Sequence, residues 1–403
     1  MSQLDRRQAL RLFAALGAAG VAAPVLSACS GEGADSAANE PVTVKGGPPI
    51  KIGMVVPQTG TFKPYGDEMA NGFQLYLKLN GNKLGGRDVT LVTAEEGETA
   101  DSGRAAAEKL IKQEKVLAVT GVVNPATMLA IRDLVESSQV PLIGSNASPV
   151  NIGGVYIWRT SFIPTEPSEA LGRWIADHVD GNVAVVAADY GGDRDEVKGF
   201  LDAFSNAGGK VAGSPRFTSP SSRNFGDAFQ AVKSSGASAL FCFYSGALAV
   251  DFVKQYKSAG FLSSFPVYAP GQLTEGLALK QQGDSARGIF TSMNYSPDLD
   301  NPANRRFIAD YQKTYSIIPS TYAVASYDAA SVIDKAINES SGDGLTSQSL
   351  NAALGRLGQI DSPRGAWQFT ANRAPLQKWY LRQVRNDGMV LSNVLTAELT
   401  TLG

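Results

Sequence analysis

From Lys51 onward the chain alternates short, continuous apolar runs with stretches whose apolar residues recur at helical spacing. Ile52-Gly53-Met54-Val55-Val56 reads as a buried strand, and Met69, Phe73, Leu75 and Leu79 mark the helix that follows. Strands come next at 88–94 and 116–121, with one helix through Ala106, Leu110 and Ile111 and another through Met128, Ile131, Leu134 and Val135. The run Val140-Pro141-Leu142-Ile143 closes this unit. Apolar strands set between helices predict a parallel sheet covered on both faces. The order then repeats, with strands at 182–187, 210–217 and 237–243, helices near 197–204, 225–232 and 249–256, and the closing run Phe265-Pro266-Val267-Tyr268. Two successive βαβ units predict an α/β protein of two doubly wound lobes. A simple tandem pair would end near Tyr295. Instead, helices follow at 301–315, 322–338 and 347–357. Period-two segments around Ala366-Trp367-Gln368-Phe369 and 379–384 then predict antiparallel strands. This surplus predicts a chain that crosses back between the lobes.

Ahead of the folded region, Asp5-Arg6-Arg7 leads into the apolar run from Leu12 to Val25, which ends in Leu26-Ser27-Ala28-Cys29. A charged head, a short apolar core and small residues at the end form a secretory signal, 1–28. The run is shorter than the roughly 20 residues that span a bilayer as a helix. Leu-Ser-Ala-Cys resembles the bacterial lipobox, which implies lipid on Cys29 and a domain held on the outer face of the cytoplasmic membrane. The paired arginines also resemble a twin-arginine export signal, with Ala9 where that motif prefers Phe. Residues 30–49 lack apolar periodicity and read as a tether, so 29–50 comprise the lipidated cysteine and a flexible link.

Charge and cysteine content narrow the chemistry. The chain carries 36 Lys+Arg against 38 Asp+Glu, and setting aside residues 1–28 leaves it near −4. Nucleic-acid binding, which needs a basic face, is excluded. With lipid on Cys29, the only other cysteine, Cys242, has no disulfide partner, and its apolar run makes it a core thiol. His178 is the only histidine and sits on a helical pattern, so no metal set forms and no cofactor is expected. No Gly-x-Ser-x-Gly elbow, His-Glu-x-x-His or phosphate-binding Gly-x-x-x-x-Gly-Lys is present, which argues against an enzyme. The neighbouring acids Glu95-Glu96 and Asp298/Asp300 read as solvated loops.

The run Ile52 to Gly60, with Tyr65-Gly66 and Asn71-Gly72, resembles the opening of leucine/isoleucine/valine-type substrate-binding proteins of ABC importers. Leu84-Gly85-Gly86-Arg87, Val140-Pro141-Leu142-Ile143, Trp158-Arg159-Thr160, Gly260-Phe261 and Tyr327-Asp328-Ala329-Ala330 follow in the same order. The resemblance implies a type I periplasmic-binding-protein fold in which two lobes joined by crossover strands close on a ligand. It divides the chain into lobe one, 51–165 plus about 297–360, and lobe two, about 166–296 plus 361–403. Its implied partners are a small-molecule ligand, an ABC permease and the membrane, and the expected state is a monomer.

Open α/β sheets bind ligands beyond the carboxyl ends of their strands, which singles out the loops there. Relatives hold a ligand carboxylate with hydroxyls and backbone N–H groups in the second and third loops. By that resemblance Asn146, Ala147 and Ser148 fall at the contact positions, with Ser148 as a helix N-cap the alternative. In the second loop Asn124-Pro125 replaces two small hydroxyl residues. Asn124, with Thr127 one turn on, takes over the contact, caps the Pro125 helix, or does both. Relatives that bind amino acids place an acid after the strand ending near Tyr268, where this chain has Ala269-Pro270-Gly271-Gln272. A neutral Gln272 leaves a buried ammonium without its partner, with Asp189 the possible substitute. Tyr65, Tyr190 and Tyr244 offer apolar walls with polar tips, while Tyr295 and Tyr322 read as hinge or core.

Overall fold

The computed structural model describes residues 47–190, 194–340 and 344–403. The signal run, Cys29 and most of the tether lie outside the described residues. The first sheet is built from β1 (Ile50–Val56), β2 (Lys83–Leu84), β3 (Arg87–Glu95), β4 (Ala118–Gly121), β5 (Leu142–Gly144) and β6 (Ile157–Arg159), in the spatial order β2-β3-β1-β4-β5-β6. All pairings are parallel except that of β2 with β3. Ile52, Met54 and Val56 face the helices Lys63–Leu79 and Thr321–Glu339, while Val55, Val119 and Leu142 face Ala100–Glu108 and Pro125–Ser138. Both faces are therefore covered, which is why the strands read as unbroken apolar runs. The helices Lys63–Leu79 and Thr321–Glu339 cross closely at Gly72, where a Cβ would stand 2.0 Å from the Ala323 carbonyl oxygen.

The second sheet contains β7 (Val183–Ala188), β8 (Arg216–Thr218), β9 (Ala239–Phe243), β10 (Val267–Pro270), β11 (Phe290–Met293), β12 (Gln368–Phe369), β13 (Pro375–Asp387) and β14 (Val390–Leu402). Its order is β12-β13-β11-β10-β9-β7-β8, with β14 on β13. β7 to β11 pair in parallel, and β13 and β14 add an antiparallel hairpin beside β11. Helices Gly226–Ser234 and Gly246–Ser258 cover one face, Glu166–His178 and Asp195–Asn206 the other. The strand expected over 210–217 is shorter: only Arg216–Thr218 pairs with β7, preceded by a single bridge from Val211.

The chain passes between the sheets after β6, after β11 and before β13. Hydrogen bonds lock these passages side by side. Thr321 Oγ1 donates to Asn294 Oδ1 at 2.8 Å, Asn294 Nδ2 to Gln377 Oε1 at 2.9 Å, and Gln377 Nε2 to the Ser161 carbonyl at 3.2 Å. The last crossing comes later than the expected boundary at 361. Trp367 and Phe369 pack into the first core, with Phe369 edge-on to Trp158 at 4.9 Å, and the Arg159 N–H donates to the Arg373 carbonyl. Two large aromatic rings find their apolar surroundings in the first lobe, so the chain leaves it only near Pro375.

Candidate functional site

The loops beyond the strand ends hold the candidate residues. Tyr65 lies in the first turn of Lys63–Leu79, with its ring edge-on to Tyr322 at 4.9 Å. Burial raises its phenol above the ordinary range, and Glu68, together with Tyr190 and Glu275 of the second lobe, adds to the effect. Tyr190, at the end of β7, is 45 % exposed and stands edge-on to Phe243. Its hydroxyl accepts the Ser245 N–H at 3.0 Å and shares a 3.2 Å bond with the Ser245 hydroxyl, so it is held between the ends of β7 and β9. Tyr65 and Tyr190 thus stand at strand-end loops of opposite lobes.

Tyr244 does not join them. It is fully buried, stacked on Phe252 at 4.2 Å and edge-on to Phe225, with its hydroxyl 3.2 Å from Thr218 Oγ1. This correction has a simple cause: the residue after β9 turns into the aromatic core instead of the cleft. Tyr295 and Tyr322 are buried, and the Tyr295 hydroxyl donates to Asn304.

The second loop is organised by a residue misread from the sequence. Glu96, expected on a solvated loop, is fully buried, and its carboxylate accepts the N–H groups of Val123 and Asn124, both at 2.8 Å. Burial pushes it up to about 7, against the pull of those donors. The backbone donors of this loop are therefore committed to the protein's own carboxylate. The Asn124 side chain caps its helix by accepting the Ala126 N–H at 2.9 Å, and its amide remains half-buried at the surface. Thr127 is a second correction. It is fully buried, and a Cβ on Gly103 would stand 2.3 Å from its methyl, so it packs between helices.

In the third loop the Ala147 N–H donates to the Val122 carbonyl at 2.9 Å, which removes it as a backbone donor for a ligand. Asn146 Nδ2 donates to the Val123 carbonyl at 3.2 Å, tying this loop to the second. Ser148 is buried, and its hydroxyl accepts from Arg159 Nη1 at 3.4 Å; it is not a helix cap. Arg159 is a buried cation the sequence reading did not single out. Its Nη2 donates to the Asn372 carbonyl at 2.6 Å, while its Nε has no partner within the protein.

On the second lobe, Gln272 sits in the turn Gly271–Leu273 after β10, and its Oε1 is buried without a partner within the protein. Three residues on, Glu275 supplies an acid that inspection of the loop missed. It is buried and already paired with Arg382 at 2.7 Å. Asp189 is paired as well, with Arg194 at 2.9 Å. Cys242 is a fully buried thiol, and His178 stacks on Trp174 at its helix end. No cluster of three metal-ligating side chains occurs among the described residues, and no helix there is long and apolar enough to cross a membrane.

Residues 49–389 match the model of the periplasmic binding protein family. The chain belongs to that family. A Leu/Ile/Val-binding protein homolog 6 from Brucella melitensis is 30 % identical over 344 residues, covering 83 % of this chain and 87 % of the relative. A Rhodopseudomonas palustris solute-binding protein of an ABC transporter, solved with benzoate, superposes with a TM-score of 0.76 at 27 % identity, covering 86 % of this chain and 97 % of the other. One from strain HaA2, solved with p-hydroxybenzoic acid, reaches 0.80 at 27 % identity, covering 87 % and 96 %. The chain is accordingly a periplasmic binding protein of the branched-chain amino-acid type, with the type I fold, and a solute-binding protein of an ABC transporter. The two relatives from Rhodopseudomonas palustris are solute-binding proteins, each solved with a small aromatic acid.

Proposed function

We propose that this periplasmic binding protein is an extracytoplasmic receptor, anchored by lipid on Cys29, that captures a small organic acid or amide by lobe closure and delivers it to an ABC permease. The observation that carries the reading is that Tyr190 of one lobe is close enough to act on the Tyr65 phenol of the other, while Gln272 Oε1, in the turn after β10, is buried without a partner within the protein. Two aromatic walls with polar tips and one buried acceptor suit a small ligand that carries an apolar body and a hydrogen-bond donor. Two acids near by are engaged, Glu275 with Arg382 and Asp189 with Arg194, which leaves Glu68, held by the Ser320 hydroxyl, as the carboxylate beside Tyr65. The relatives solved with benzoate and p-hydroxybenzoic acid support the organic-acid reading. Resemblance to the Leu/Ile/Val-binding homologues supports a second reading, a branched-chain amino acid. A ligand-sensing lipoprotein would use the same site.

A thermal-melt screen separates these. The full-length chain, expressed without export, is melted with leucine, isoleucine, valine, benzoate, p-hydroxybenzoate and simple amides. A ligand at a hundred times its Kd adds about 2.7 kcal/mol. Stabilisation by a carboxylate or amide lacking an ammonium supports the first reading, and stabilisation by leucine or valine alone replaces it with the second.

A further inference from the structure

Among the described phenylalanines, tyrosines and tryptophans, two stand substantially in solvent: Phe62, 39 % exposed, and Tyr190, 45 % exposed. All the others are buried or partly buried. The two exposed rings are not scattered. Phe62 closes the loop after β1 in the first lobe, and Tyr190 follows β7 in the second, so both lie beyond the carboxyl ends of strands. Both also converge on one residue. The Phe62 ring is tilted against that of Tyr65 with the centroids 6.2 Å apart, and Tyr190 is close enough to act on the Tyr65 phenol. A single exposed apolar side chain is ordinary, but the two most exposed rings of the molecule, one from each lobe, meet at the same tyrosine.

The first-lobe loop holds Phe62 in place. The Gln58 N–H donates to Glu95 Oε2 at 3.0 Å and the Thr61 N–H to Glu98 Oε1 at 3.3 Å, so two carboxylates at and just beyond the end of β3 pin the loop. The Phe62 carbonyl accepts the N–H groups of Tyr65 and Gly66 at 3.1 and 3.3 Å, which starts the helix Lys63–Leu79. That helix start is pressed against the end of β1, where a Cβ on Gly66 would stand 2.0 Å from the Pro57 carbonyl oxygen. The backbone on both sides of Phe62 is therefore anchored. Phe62 itself occupies the N-cap, where Ser, Thr, Asp or Asn would accept a free helix N–H, and it makes no side-chain cap bond. The position forgoes a cap and presents a ring. Opposite it, the Tyr190 hydroxyl is fastened to the Ser245 N–H and its ring stands edge-on to Phe243. Rings fixed before a ligand arrives lose little freedom on contact.

We propose that Phe62 is a ligand-contacting residue which, with Tyr65 and Tyr190, selects solutes whose apolar body is an aromatic ring. This rests on the reading that the lobes close around a small organic acid, and it names the class of acid. An aromatic body carries a negative face and a positive edge, so it gains from edge-on and offset contacts with other rings, whereas a branched aliphatic body gains only from the area it buries. Three rings drawn from two lobes thus favour benzoate over an aliphatic acid of the same charge.

The test is isothermal titration of the full-length chain, expressed without export, with benzoate and with isobutyrate. The wild type should prefer benzoate by about tenfold. Phe62→Leu keeps an apolar side chain and removes the ring, so it should weaken benzoate by about fivefold, while Phe62→Tyr, which keeps the ring, should stay within about twofold of the wild type. Both variants should melt with the wild type, because the ring is exposed. A wild type that binds isobutyrate as well as benzoate overturns the proposal and leaves the organic-acid reading standing. So does benzoate binding that Phe62→Leu leaves unchanged, or that both variants weaken equally. Loss of affinity together with a lowered melting temperature in Phe62→Leu marks a packing residue and overturns the contact. If neither acid binds the wild type, the proposal and the organic-acid reading fall together.

Discussion

The Arg364 guanidinium lies 3.0 Å from the Asp328 carboxylate, with both side chains sealed from solvent. The Ser362 hydroxyl and Trp367 Nε1 donate to the same carboxylate oxygen at 2.9 and 3.1 Å, and the guanidinium lies 4.8 Å over the Trp367 ring. The pair fastens the segment ahead of the last crossover to the helix Thr321–Glu339. Removing one member leaves a buried charge unpaired. Asp328→Ala should destabilise the fold by about 3–5 kcal/mol in denaturant unfolding. A loss below about 1 kcal/mol would show that water or rearrangement compensates Arg364.

Stability should also respond to pH. Burial holds Glu166 up to about 8 and Glu96 up to about 7, from an ordinary 4.5. Carboxyls raised in the folded state contribute stability that is fully present below the unfolded value and lost as pH rises through the folded one. The melting temperature without solute should therefore fall between about pH 5 and about pH 8. Glu166→Gln, which stays neutral, should flatten the upper part of that fall. A wild-type melting temperature that rises across the window would refute the assignment.

Two of the three tyrosines expected at the site, Tyr65 and Tyr244, have different roles. Tyr65→Ala should weaken binding of a ligand found in the screen by about tenfold or more, read by isothermal titration. Tyr244→Phe removes only the bond to Thr218, so it should leave affinity unchanged and cost about 1 kcal/mol of stability. Equal losses of affinity from both variants would return Tyr244 to the site.

Cys29→Ala should move the exported protein from the membrane fraction to the soluble extracytoplasmic fraction. Continued sedimentation with membranes, judged by immunoblot, would mean that something other than lipid on Cys29 holds it.

Much of the architecture is written in local pattern. Unbroken apolar strands such as Val183–Ala188 between amphipathic helices leave a two-face-covered parallel sheet as the natural arrangement, and the surplus after Pro297 requires a return between lobes. Cys242 in the core and His178 on a helix surface also follow from their immediate neighbours. The same local pattern failed for Tyr244. When both faces of a strand are buried, apolar alternation vanishes, and nothing local says which way the next residue turns.

Charge placement was less legible still. Glu96 looked like half of a solvated acidic pair, yet it is drawn inside by two N–H groups some 27 residues further on. Glu275 meets Arg382 across 107 residues of chain. The sequence by itself determined the alternation of strands and helices and most of its elements, though not short strands such as Ile157–Arg159 and Phe290–Met293, because apolar periodicity records local burial. Only the tertiary structure decided which polar groups in the strand-end loops are already satisfied. A hydrogen bond or ion pair depends on where distant segments meet, and neighbouring residues carry no trace of it.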